Sequence, residues 1–301
     1  NATNEILLDM TFLEGNLTTG HRTSIRSGLP TPTWRKLYGG VQPTKSRAVQ
    51  VTDNTGMMED YSEVDKALVD MAGNPASFRL QEDRPHIEGM NQEFASTLFY
   101  GDESTAPEEF TGLSARYNSL SAENGDNIIA GGGSGSDNAS IWLICWGPNT
   151  CHGIIPKGSK AGVQQRDLGE VTLENADGAN GRMQAFRTHY RWDVGLSVRD
   201  WRYAVRIANI DRSALTFNAA SGADLNDLMH QAWTEIPNTS MGRSAWYMDK
   251  SILSMLRRQT SSAVSSSTLT TDLVGGTMQT SWGGIPIRRC DALRGNEATV
   301  S

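Results

Sequence analysis

The chain is short of most of what catalysis and nucleic-acid binding use. Of 301 residues only three are cysteine, Cys145, Cys151 and Cys290. So few, and an odd number, exclude a disulfide framework and fit a reducing compartment. Five histidines, at 21, 86, 152, 189 and 230, are scattered over the whole length. Basic charge is in deficit, with a net charge of −7, whereas a dedicated nucleic-acid binder is basic or carries a concentrated basic patch. No run approaches the roughly 18 apolar residues of a membrane span. The densest, IWLICW at 141–146, is strand-sized. There is no Gly-x-Ser-x-Gly elbow, no His-Glu-x-x-His pair and no Asp-rich metal loop. Enzyme function has nothing to rest on, and no catalytic, cofactor-binding or metal-ligating residue is assigned.

Two near-misses fail on their details. Cys145, Cys151 and His152, with Cys290 as a distant fourth group, lack the paired short-range thiols of zinc sites and read as small core residues. The run GGGSGS at 131–136 resembles a phosphate loop, but it lacks the Lys-Ser/Thr ending and leads into a strand rather than a helix.

What is present is an alternation of helical and strand patterns. Residues 1–33 hold one apolar patch, ILLDMTFL, then polar sequence broken by Gly and Pro, which reads as an extended arm without a core of its own. Residues 34–58 read as a hairpin, with Arg47, Val49 and Val51 on one face and DNTG as a turn. A helix is expected from Ser62 as N-cap to Gly73, and a longer one over 84–100 capped by Asp83. In the latter, Pro85 fits the first turn and Ile87, Met90, Phe94 and Leu98 form the stripe. Two further helices start at the caps Asp224 and Asp249, the first burying Leu225, Leu228, Met229, Ala232 and Trp233. TSSAVSSSTLTT at 260–271 reads as a polar loop, and GGIPIRRCDAL supplies a closing strand.

The stretch HYRWDVGLSVRDWRYAVRIANI at 189–210 offers two readings. As a nucleic-acid-binding β module over 186–212, it would stack bases on its aromatics and hold phosphates with its arginines. The alternation argues against this. Phe186, Tyr190, Trp192, Val194, Leu196 and Val198 point one way, and Arg187, His189, Arg191, Asp193 and Ser197 the other. At Asp200 the parity flips, as a bulge or tight turn would make it. Core strands with a charged contact face are the preferred reading.

The order of features also carries a family resemblance. GLPTPTWRKLYGGVQPTKS, HIEGMNQEFASTLFYGD with EFTGLSARYN, IWLICWGPNTCHGIIPKGSKAG, DWRYAVRIANID, SAWYMDKSILSMLRR and SWGGIPIRRCDAL together resemble the major capsid proteins of tailed bacteriophages, podophage-type branch. The resemblance implies an α+β chain with the Hong Kong 97 capsid fold. It implies an N-terminal arm over 1–33, an extended E-loop over 34–61, and a peripheral domain over 62–215 with its spine helix at 84–100. An axial domain with a return strand would follow over 216–301. The implied function is a structural major capsid protein that self-assembles into hexamers and pentamers of an icosahedral head. That head would enclose double-stranded DNA without sequence-specific binding. Implied partners are copies of itself, with scaffold, portal and cement proteins, and the implied location is the virion, after assembly in the host cytoplasm. No cofactor, metal or membrane is implied.

Contact candidates between copies are Trp34, Arg35, Lys36, Lys45 and Arg47 in the loop. Arg79, Glu82, Arg84 and Glu88 on the spine and Arg187, Arg191 and Arg199 on the charged strand face complete the set. Charge pairs between subunits are individually weak and serve register and specificity. Some members of the fold crosslink this loop through a Lys–Asn bond. Lys45 is suitably placed, but no Asn partner or catalytic acid is identified, and that activity is not carried over.

Overall fold

A computed structural model of the chain describes residues 4–174, 178–262, 269–274 and 277–301. Its elements, in order, begin with β1 (Phe12–Glu14), β2 (Gly20–Gly28), β3 (Arg47–Asp65), α1 (Lys66–Met71), α2 (Pro75–Tyr100) and α3 (Leu113–Arg116). The middle holds β4 (Ile128–Ala130), β5 (Asn138–Trp146), β6 (Cys151–Ile155), β7 (Gln164–Glu174), β8 (Arg182–Val198) and β9 (Ala204–Asp211). The chain closes with α4 (Leu225–Glu235), β10 (Arg243–Met248), α5 (Lys250–Ser262), β11 (Leu269–Val274), β12 (Thr277–Trp282) and β13 (Ile285–Arg289).

β5 explains the layering. Its nine residues, NASIWLICW, are all buried, as a strand covered on both faces must be. Trp142, Ile144 and Trp146 point into one core, against Phe94, Leu98 and Phe99 of α2 and the apolar face of β8. Ile141, Leu143 and Cys145 point into a second core, built with Leu225 and Met229 of α4, Ile252 and Leu256 of α5, and Trp246. Each fully buried large side chain contributes about 1.5–3 kcal/mol. The mixed α+β fold is one connected sheet system, in the order β11-β12-β13-β10-β5-β6-β8-β3-β2, with β1, β4, β7 and β9 attached beside that path.

β8 follows its sequence pattern on the core side, where Tyr190, Trp192, Val194, Leu196 and Val198 are buried and Phe186 is half-buried. Asp193 and Ser197, expected on the charged contact face, are buried as well, because that end of the strand is covered on both sides. The parity change at Asp200 is a single 3-10 turn, Trp201–Tyr203, with the Asp200 side chain accepting from the Arg202 backbone N–H. α4 and α5 start at Asp224 and Asp249 as expected, and both carboxylates accept backbone N–H groups of the first turn. Trp233 is an exception to the expected stripe, being exposed.

Several boundaries differ from expectation. The long helix starts at Pro75, where the Asn74 side chain accepts from the Ser77 N–H, so Pro85 is interior. Asp83 does not cap it but is buried in mid-helix. Ser62 lies in β3, and Asp65 caps α1 through the Ala67 N–H. DNTG is not a turn, because Asp53–Gly56 run through β3. β3 pairs antiparallel with β2 from Gly20–Asn54 to Gly28–Arg47, which puts the first hairpin strand within 1–33 and leaves residues 29–46 as the connecting loop. Residues 4–14 do find burial in their own chain. Ile6 and Met10 join the first core, β1 pairs with β6, and Asp9 is paired with Arg288 at 2.8 Å. Of the polar run 260–271, residues 260–262 end α5 and 269–271 begin β11, while 263–268 lie outside the described residues.

Candidate assembly surfaces

The loop over 29–46 is built to stay outside. Pro30, Pro32, Pro43 and the pair Gly39-Gly40 deny it a regular ladder. One turn closes, from the Gly39 N–H to the Lys36 carbonyl at 3.1 Å, with Tyr38 at φ 60°. Trp34 and Tyr38 are completely exposed and Leu37 and Leu29 nearly so. Its charged residues, with the flanking Arg47, are Arg35, Lys36 and Lys45, all basic, in a chain that is acidic overall. Large exposed apolar side chains grouped in this way mark a surface that is covered in an assembly.

The hairpin stem is tied to the body by charge. Arg187 pairs with Glu63 at 2.6 Å, and Arg191 with Asp193 at 2.9 Å and Glu59 at 3.6 Å. His189 stacks on Tyr61 at 4.6 Å. Arg79 pairs with Asp167 at 2.8 Å, and Asp167 is held below its ordinary pKa by that hydrogen bond. Arg199 donates to Asn149 Oδ1 at 2.9 Å. Four of the candidate contacts, Arg79, Arg187, Arg191 and Arg199, thus have partners in their own chain. Glu88 accepts from Gln92 at 3.5 Å. Glu82 and Arg84 are exposed on α2. Among the described residues, neither they nor Arg35, Lys36, Lys45 and Arg47 form an ion pair.

At the hairpin root the contacts are buried. Asp53, 2% exposed, pairs with Arg116 at 2.8 Å and accepts from Ser197 Oγ at 2.7 Å. Beside it the rings of His152 and His21 meet edge to face at 5.8 Å. Neither ring nitrogen of the buried His152 meets hydrogen-bond geometry. Burial first, and then His21, lower its pKa to about 4.

A lock at the other end of the sheet left no signature in the sequence. Arg206 is 3% exposed and pairs with Glu297 at 2.7 Å. The guanidinium also donates to Ser140 Oγ at 3.1 Å and to the Tyr117 carbonyl at 2.7 Å. Tyr100 donates its hydroxyl to Glu297 at 2.5 Å. Asn209 and Val300 exchange two hydrogen bonds of 2.8 Å. Residues 297–300 are thereby fastened to β9.

The competing chemistries lose their geometry. Tyr190 and Trp192 face the core, so no base-stacking platform exists on β8 and the nucleic-acid reading is unsupported. The three thiols are free and buried, and burial pushes Cys290 up to about 12, which keeps it protonated and unreactive. Among the described residues no group of three His, Cys, Asp or Glu could hold a metal, and no helix is long and apolar enough to cross a membrane. The glycine run packs against β9 instead of cradling a ligand. The Gly133 N–H donates to the Asn209 carbonyl at 2.8 Å, and a Cβ on Gly133 would lie 2.6 Å from that oxygen.

Comparison with known proteins agrees with this picture. The family model described as "Major capsid protein GP7" matches residues 1–301. A solved structure of bacteriophage Epsilon15 is similar at 38% identity and TM-score 0.73, covering 100% of this chain and 90% of that chain. A capsid of a native GTA particle has 8% identity and TM-score 0.48, with 69% and 90% covered, too low to carry an argument. No curated protein matches the chain.

Proposed function

The chain belongs to the major capsid protein GP7 family and is a structural shell subunit of a tailed-phage virion, and we propose that it tiles the icosahedral head as rings of five and six copies. The observation that carries the reading is the exposed loop 29–46, whose Trp34, Leu37 and Tyr38 have nothing to cover them within the chain. A neighbouring copy supplies the cover. Such a head-to-tail contact uses two different patches on each copy and closes into rings. Arg35, Lys36, Lys45, Arg47, Glu82 and Arg84 are the candidate contacts that form no ion pair among the described residues, and they set register in the lattice.

The role is structural and involves no turnover. The shell encloses double-stranded DNA without reading it, consistent with an overall charge of −7 and with the inward-facing Tyr190 and Trp192 of β8. Scaffold, portal and cement proteins are its further partners. Purified full-length chain is expected to form capsomers or shells by size exclusion and negative-stain microscopy. The Trp34→Ser/Leu37→Ser double variant should cut the assembled fraction by roughly tenfold or more, as loss of interface anchors does, with an unchanged circular dichroism spectrum. A monodisperse monomer that binds DNA with a steep salt dependence would overturn the reading.

A further inference from the structure

Beside the hairpin root lies an apolar cavity of about 160 Å³, lined by Gly56, Met57, Met58, Phe110 and Val194. Glu93, Glu108 and Glu109 stand around it, and none of the three forms an ion pair among the described residues. Met57, at its lip, is exposed. An apolar floor under an acidic rim calls for an apolar side chain flanked by cations. The loop 29–46 has that composition: Trp34 and Leu37 flank the pair Arg35-Lys36, and the loop holds no carboxylate.

The chain's own loop does not occupy this cavity, since Trp34 and Leu37 stay exposed. β2 and β3 are paired from Gly20–Asn54 to Gly28–Arg47, and the extended stem from Arg47 to Gly56 is roughly 30 Å long. Tip and root are therefore held apart in one copy. We propose that the cavity over Met57 and Phe110 receives Trp34 or Leu37 from the loop of a second copy, with Arg35 and Lys36 meeting Glu108 and Glu109. This inference rests on the assembly reading above and names the surface that reading leaves open.

The three native cysteines are buried, so engineered surface thiols can report the contact. Full-length chain carrying Thr33→Cys and Met57→Cys, with Trp34 and Leu37 left in place, oxidised after assembly, should give a ladder of disulfide-linked multimers on a non-reducing denaturing gel. The pair Thr33→Cys with Glu123→Cys, Glu123 lining a separate cavity with Leu29 and Val49, should stay monomeric. In a separate arm, Glu108→Lys/Glu109→Lys and Arg35→Glu/Lys36→Glu should each lower the assembled fraction roughly tenfold, and their combination should restore most of it. A ladder from the 123 pair alone, or shells indifferent to both charge reversals, would overturn the docking site. If shells also form normally with Trp34→Ser/Leu37→Ser, the loop contact itself is overturned.

Discussion

Replacing Glu297 with alanine is expected to cost about 3–5 kcal/mol of unfolding free energy, read as a lower urea midpoint with an unchanged slope. The reason is what the substitution leaves behind. Arg206 is 3% exposed, and without Glu297 its charge keeps the Ser140 hydroxyl, the Tyr117 carbonyl and the face of Trp142 at 5.3 Å, but no counter-charge. Tyr100 loses its acceptor as well. A buried charge with no counter-charge is far more costly than a missing pair. The double variant Arg206→Met/Glu297→Leu should therefore recover most of the loss. If the double variant is as unstable as Glu297→Ala, the pair itself, rather than the uncompensated charge, supports the fold.

The second large effect is acid sensitivity at the hairpin root. His152 has its pKa lowered to about 4 in the fold, against about 6.5 in an unfolded chain. The unfolded state binds the proton first. The contribution of neutral His152 is complete above pH 6.5 and is lost progressively as the pH falls toward 4, by up to about 3 kcal/mol. The charged and titratable groups around the ring are His21 on β2, Asp53 on β3 and Arg199 after β8. Of these, Asp53 favours the charged imidazole and the other two oppose it. The His152→Phe variant should lose this slope, so wild type and variant should diverge below pH 6 in urea midpoint at fixed protein concentration. Parallel pH profiles would show that His152 is not the group responsible.

Elements with one buried face were legible in the sequence, and those without one were not. β8 alternates because one side meets the first core, and α4 and α5 announce themselves by their caps. β7 is largely exposed and carries no period to read. β2 and the outer half of β3 form a two-stranded ribbon away from both cores, so their full length left no trace. The start of α2 was hidden by Pro85, which in a helix interior costs about 3 kcal/mol. Contacts remote in sequence hold those first turns in place: Arg79 reaches Asp167, and Asp83 is buried beside Tyr190, whose phenol is raised to about 12 by burial and then by Asp83. The loop residues Trp34, Arg35, Lys36, Lys45 and Arg47 were named from the sequence, and they are exposed. Their proposed receptor was not legible, because Met57, Glu93 and Glu108 meet only through tertiary folding.

β5 has no solvent face. Because the same nine residues wall both cores, neither half of the body can yield without the other. Under load the body behaves as a stiff plate, and compliance is left to the thin ribbon of β2 and β3. Where neighbouring subunits meet at different angles in a curved surface, that ribbon is the part expected to bend.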